Sequence, residues 1–397
     1  MARCRLLLAA PMAISLLPSV WRIIGGFAMR RGSRIIGIVA PIAVGCLAGP
    51  GALAAAAHRP AASWHLAYRA SSHRQIWGIT APALTDGWAF GYVYGTQNAL
   101  VRTFYLHWGG HRWRTVTIPV AQNFVATLIK ASSPSNVWIF GYRTDSAASG
   151  AALVYNGHRW KVIDGPWSAS VGNGLVASRS DAWVTQGGCA AADCTTTVDH
   201  WDGSGWQSQA VPGQLSLAGG GSRPWLVGLA ASAKPRLGAD VPAVYRWSGT
   251  RWRHLRAPAG AADEAFGAAS PGARLWLVVQ GRSGGKWRLF ERRGSTWSSL
   301  GVLRRFPAAD VPVPGLVYDG RNGFWALPFH WTGSRWVNTA PGMRLNPPRP
   351  RWLNTLWYNF IAPVPGSSAV WAVVLANRLP YTSGTTQSGI AWYGAKP

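Results

Sequence analysis

Acidic residues are scarce in this chain: 13 Asp and Glu in 397 residues, against 39 Lys and Arg, for a formal charge of +26. Only two are glutamates, Glu264 and Glu291. Glycoside hydrolysis and similar chemistry need two positioned carboxyl groups, and here the supply is poor. Charged residues of all kinds make up 13%, too few Glu and Lys to cover the solvent faces of many helices. Lysine is nearly missing, 5 residues against 34 arginines, so part of the basic excess is compositional. Cysteine is limited to Cys4, Cys46, Cys189 and Cys194. No apolar run is long enough for a spanning helix; residues 35–47 are the nearest approach and fall short of about 20.

What is present points to short strands. Twenty-five tryptophans, 47 glycines and 48% hydrophobic residues describe a globular chain with a large core and many tight turns. Residues 29–57 run from Met29-Arg30-Arg31 through the apolar stretch 35–47 to an alanine-rich exit ending at Ala55 and Ala57. That is the pattern of a signal peptide cleaved before His58. Residues 1–28 repeat it weakly, which makes Met29 the expected start. Cys46, in Ala43-Val44-Gly45-Cys46, suits lipidation less well, because alanine stands where leucine is usual. Six of the basic residues precede His58 and every acid follows it, so the remaining chain keeps an excess of 20 positive charges. Such an excess favours anionic partners. Export leaves Cys189 and Cys194 as a pair, and an isolated C-x4-C outside the cell predicts a disulfide rather than a metal site.

A strand centred on tryptophan recurs at Trp88, Trp138, Trp183, Trp225, Trp276, Trp325 and Trp371, 42 to 51 residues apart. A second element follows in six units, in which Gly110, Gly157, Gly203, Gly249, Gly294 and Gly333 each stand three residues before Trp113, Trp160, Trp206, Trp252, Trp297 and Trp336. X-Gly at this place predicts a two-residue type I′ hairpin. The seventh unit ends soon after Trp392 and lacks its last strand, whereas Trp64 lies ahead of the first unit at the spacing of that missing strand. The expected fold is therefore all-β, a seven-bladed β-propeller over residues 58–397, with residues 63–69 closing the last blade from the N-terminus. Only 11 residues separate Trp325 from Trp336, which predicts a stunted sixth blade, and a proline-rich insertion precedes the seventh. HWDGSGW (His200 to Trp206) and VWAVV around Trp371 resemble the repeat units of secreted actinobacterial propellers of kelch-like, galactose-oxidase-like type. That resemblance implies the fold and carries no common activity.

The candidate chemistry is thin. Copper oxidases on such propellers need a thioether-forming cysteine and an extra ligand domain, for which there is no counterpart, and no cofactor or metal is expected. His107, His200 and His330 share one repeat position; equivalent positions in different blades lie far apart, so each is expected to bond within its own blade. Arg112, Arg159, Arg251 and Arg335 directly precede the closing tryptophans and are expected to stack on aromatic rings. The repeat tryptophans read as core, with Trp167, Trp352 and Trp357 as exceptions outside the pattern. Inner strands near Ile76, Thr127 and Leu175 show no acid or histidine cluster. Strand alternation places the tight turns on one face and the variable loops on the other, where Lys234, Arg236, Arg282, Lys286, Arg304, Arg305, Arg349 and Arg351 gather. The reading is a secreted, non-enzymatic, monomeric binding propeller, whose partner is an anionic wall polymer or an extracellular protein; no nucleic-acid module is recognisable. An extracellular hydrolase or lyase working at the central channel is the first alternative, and a structural module with incidental charge the second.

Overall fold

The glycine before each closing tryptophan bends the chain with a positive φ, from 59° to 106° across the six units. The computed structural model describes residues 63–71, 73–95, 99–145, 149–168, 171–190, 193–219, 221–231, 240–272, 274–282, 285–303, 316–326, 329–339, 356–376 and 387–394. In five units the paired residues flanking the turn are Trp108 and Trp113, Tyr155 and Trp160, Trp201 and Trp206, Trp247 and Trp252, and Trp331 and Trp336, so four residues intervene. Only the fifth unit has a two-residue turn, between Arg293 and Thr296. The type I′ expectation is thus corrected. In the four-residue loops the residue before the glycine keeps a negative φ, and in the second and third units it works through its side chain. Asn156 Oδ1 accepts the amides of His158 and Arg159 at 3.0 and 2.9 Å, and Asp202 Oδ1 those of Ser204 and Gly205 at 2.8 and 2.9 Å. These are Asx turns, which explains why short oxygen-bearing residues recur there.

Strands on either side of these turns build seven four-stranded antiparallel sheets. The first holds β2 (Arg74–Ala83), β3 (Asp86–Tyr94), β4 (Leu100–Trp108) and β5 (Trp113–Val116). The second holds β6 (Phe124–Ser133), β7 (Asn136–Arg143), β8 (Ser149–Tyr155) and β9 (Trp160–Asp164). In the third are β10 (Asn173–Ser178), β11 (Asp181–Ala190), β12 (Asp193–Trp201) and β13 (Trp206–Pro212), and in the fourth β14 (Gln214–Leu217), β15 (Trp225–Ala231), β16 (Asp240–Trp247) and β17 (Trp252–Leu255). The fifth comprises β18 (Ala262–Ala269), β19 (Leu275–Gly281), β20 (Trp287–Arg293) and β21 (Thr296–Val302). The sixth is stunted as expected: β22 (Val317–Tyr318), β23 (Phe324–Ala326), β24 (Phe329–Trp331) and β25 (Trp336–Asn338). The seventh joins β26 (Leu356–Pro363), β27 (Val370–Ala376) and β28 (Gln387–Gly394) to β1 (Ser63–Arg69).

β1 runs antiparallel to β28, with Ser63 opposite Gly394 and Trp64 opposite Tyr393. The N-terminal strand therefore supplies the fourth strand of the last blade and covers an edge that would otherwise be open. β26 in turn lies beside β2, and the blades form a closed seven-bladed β-propeller.

The core is divided among the blade interfaces. Each of seven clusters of buried side chains joins two consecutive blades; Trp371 of the seventh, for example, packs against Trp108 and Trp113 of the first. The repeat tryptophan of one blade typically enters an aromatic cage made by the next, as Trp183 does between Trp247 and Trp252 at 5.0 and 5.6 Å. Edge-to-face pairing of this kind adds to the burial of large rings. Trp167, outside the repeat, is also core: it is 2% exposed and donates Nε1–H to the carbonyl of Gly141 at 2.7 Å. Trp352 lies outside the described residues, as does the side chain of Trp357.

Candidate functional site

Three aspartates and three histidines are engaged with each other within their blades. On β3, Asp86 precedes Trp88 by two and accepts the indole N–H at 3.1 Å, while its other oxygen meets His107 Nε2 at 3.1 Å. The third blade repeats this: Asp181 takes Trp183 Nε1 at 2.5 Å and His200 Nε2 at 3.0 Å, and the imidazole lies flat on the indole with centroids 3.5 Å apart. In the sixth, His330 stacks on Trp325 and bonds Asp319 at 2.9 Å. Each histidine thus bonds inside its own blade, as the repeat predicted. The partner was missed: Asp two residues before the tryptophan is visible in the sequence at Asp86 and Asp181, and signals a brace across β-strands rather than a catalytic pair.

The fifth blade carries the same brace with its charges exchanged. Arg274 stands two before Trp276, Glu291 replaces the histidine, and the two meet at 2.6 Å, with Arg293 on the other carboxylate oxygen at 3.0 Å. In the fourth, both places hold arginine, Arg223 and Arg246. Among the described residues the guanidinium groups that sit over rings are those of Arg74, Arg246, Arg274 and Arg292. The stacking role expected of Arg112, Arg159, Arg251 and Arg335 is therefore corrected: these side chains occupy the last position of the four-residue loops and are exposed. A residue just before the flanking pair is carried out with the loop instead of lying on the strand.

The opposite face bears the connections between the second and third strands and between blades. Of the eight cations expected there, Arg282 and Lys286 are exposed in the β19–β20 connection, and Lys234, Arg236, Arg304, Arg305, Arg349 and Arg351 lie outside the described residues. Arg143 on this face is neutralised by a two-bond contact with Asp145, at 2.8 and 3.1 Å. Cys189 and Cys194 are directly opposed in the β11–β12 register, one pair from the hairpin end. The leader, residues 1–57, is outside the described residues, and among the described ones no helix is long and apolar enough to cross a membrane.

The first strands of the blades surround a channel with a cavity of about 740 Å³, lined by Asn173, Gln214, Ser216, Phe266, Tyr318 and Phe360 among others. Its charged lining residues are Lys130, Asp263 and Glu264. The acids lie on β18, whereas the inner strands near Ile76, Thr127 and Leu175 hold neither acid nor histidine. A bulge between Ala262 and Glu264 in the β18–β19 ladder brings the adjacent carboxylates to the loop-side end of the channel. Burial, and secondarily the Asp263 charge, raise the pKa of Glu264; burial lowers that of Lys130. Lys130 pairs with Trp138 and lies nearer the tight-turn face, so cation and carboxylates stand at different depths. Among the described residues no three potential metal ligands cluster.

Neither a family model nor a curated protein sequence matches this chain. Among solved structures it is similar to the β-propeller domain of the Trilobed protease from Pyrococcus furiosus, with a TM-score of 0.52 and 8% identity over 83% of this chain and 94% of that one. The acylaminoacyl peptidase of Pyrococcus horikoshii gives 0.49 and 9%, over 78% of this chain and 49% of the peptidase. A six-bladed fucose-recognising lectin from Aleuria aurantia gives 0.34 and 14%, over 58% and 78%. At these identities the likeness is one of fold alone.

Proposed function

We propose that the protein is an exported, non-enzymatic binding propeller that recognises an anionic polymer through its loop face. The observation that carries this reading is where the acids go. Asp86, Asp145, Asp181, Asp199, Asp202, Glu291 and Asp319, seven of the 13, are engaged in hydrogen bonds within the fold. That withdraws much of a small supply of acids from catalysis and from neutralising the surface, while Arg282 and Lys286 in the β19–β20 connection are exposed. Such a surface concentrates a polyanion, and its hold weakens as salt screens it over about 8–10 Å. Export rests on the leader pattern of residues 29–57, and an oxidising compartment would join Cys189 to Cys194. The test replaces Arg282, Lys286, Arg304, Arg305, Arg349 and Arg351 by Ser and titrates an anionic wall polymer at low salt. Affinity should fall at least tenfold with the melting temperature unchanged; full affinity in the variant overturns the reading.

A second reading is supported by Glu264, whose raised pKa beside Asp263 suits a general acid at a channel mouth. It makes the protein an extracellular hydrolase or lyase. Turnover of a wall polysaccharide that is lost in Glu264→Gln would establish it in place of simple binding.

A further inference from the structure

The cage around Trp225 departs from the others. In the other blades the residue opposite the repeat tryptophan is histidine, a neutral residue or, in the fifth, Glu291 paired with Arg274, and the next blade supplies aromatic rings, such as Trp247 and Trp252 around Trp183. Around Trp225 the histidine place is taken by Arg246, directly opposite it in the β15–β16 ladder, with its guanidinium 4.8 Å from the indole centroid. The aromatic place of the next blade is taken by Arg292, paired with Trp297, with its guanidinium 5.6 Å from the same indole. Arg223 stands two residues before Trp225, where the first and third blades have aspartate. Three arginines therefore replace a neutralising Asp–His pair and an aromatic ring at one interface.

No described carboxylate answers them. Glu291 is next to Arg292 in the chain, but alternation turns it to the other side of β20, where Arg274 and Arg293 hold it. Arg292 is only 8% exposed, and its Nε and Nη1, with Nε of Arg246, are buried and bond to no described residue. Burial and the charge of Arg246 both lower the pKa of Arg292. A buried guanidinium with unpartnered donors is costly, and an indole face offsets only part of that cost. Planar forks of this kind match the geometry of tetrahedral oxyanions.

We propose that Arg246 and Arg292, converging on Trp225 between the fourth and fifth blades, form a binding site for a phosphate- or sulfate-type oxyanion. The site lies near the face that carries the four-residue loops, since Trp225 begins β15 at that end. It is separate from the loop-face cations, does not rest on the binding reading above, and adds a second anionic contact on the other side of the ring.

The experiment follows thermal unfolding of the exported protein in inorganic phosphate, in sulfate and in chloride at matched ionic strength. The melting temperature should rise saturably with phosphate or sulfate and stay flat in chloride; the ion with the larger shift identifies the preferred group. Equal curves in all three salts overturn the proposal without any variant. Restoring the repeat's own residues in Arg246→His/Arg292→Trp should abolish the shift while keeping the chloride melting temperature equal or higher. Arg292→Gln, which keeps the shape and removes the charge, should weaken binding at least tenfold by calorimetry. A shift that persists in these folded variants also overturns the site. The loop-face serine variant should retain the shift, so failure of one reading is distinguishable from failure of the other.

Discussion

Asp181 holds an indole and an imidazole at once, and both rings are largely withdrawn from water. Replacing it by alanine leaves two donors without an acceptor, for which a loss of about 1–3 kcal/mol is expected in chemical denaturation. Arg159→Ser, at an exposed loop position, should change stability by less than about 0.5 kcal/mol. A large effect of Arg159→Ser would restore the stacking role that the structure withdraws. Asp319 adds a pH dependence. Burial works against its charge, but the His330 bond and the amides of Arg321 and Gly323 prevail and hold its pKa below the usual 3.8. Stability from this group is full above 3.8 and is lost as pH falls through the lower folded value. Asp319→Asn should flatten the acid limb of a stability profile below about pH 4, with little dependence on pH near neutrality. These braces were half legible. The histidines recur at a fixed place and announce a local role, whereas their partners change from Asp to Arg to nothing between blades, and no single blade shows that the two positions vary together. The carboxylates of the channel were hidden for another reason: the bulge at Asp263 shifts the side-chain alternation on which a face assignment depends.

At the scale of the turn, the recurring glycine was readable and the loop length was not. Positive φ is demanded by a two-residue hairpin and by these four-residue loops alike, so X-Gly does not separate them. Among the four-residue loops the glycines differ in what surrounds them. A Cβ at Gly203 would come within 2.7 Å of Ser180 Cβ, whereas one at Gly249 would meet nothing within 4 Å. Both have φ near 100°, so Gly249→Ala should cost about 1–2 kcal/mol from backbone strain alone and Gly203→Ala distinctly more. Equal costs in urea titrations would mean that the loop yields. In the β11–β12 hairpin, opposed residues have Cα atoms about 4.5–5.5 Å apart, within the span a disulfide needs. In an oxidising solution the protein is expected to show no alkylatable thiol at Cys194 until reduced, and to lose little stability on reduction because the loop is so short. A free thiol in the native protein would contradict the bridge.

One strand from the N-terminus completes the last blade of the ring. Seven interface cores, each shared by two blades, give every blade two neighbours because the ring is closed. The period of the tryptophans and the half-unit at each end made this closure legible, since the missing strand of the last unit and the surplus strand before the first are complementary. The blade that the repeat describes worst, the sixth, is also the one with strands of two and three residues. β28 lies between β27 and β1, so alternate amides along it point to each neighbour. The most direct test is hydrogen exchange along residues 387–394, in the chain from His58 onward and in a form of it lacking residues 58–70. With β1 present, amides of both sets should be protected; without it, the set facing β1 should exchange at least tenfold faster while the β6–β9 blade keeps its protection. Equal protection of both sets in the truncated protein would contradict closure by the N-terminal strand.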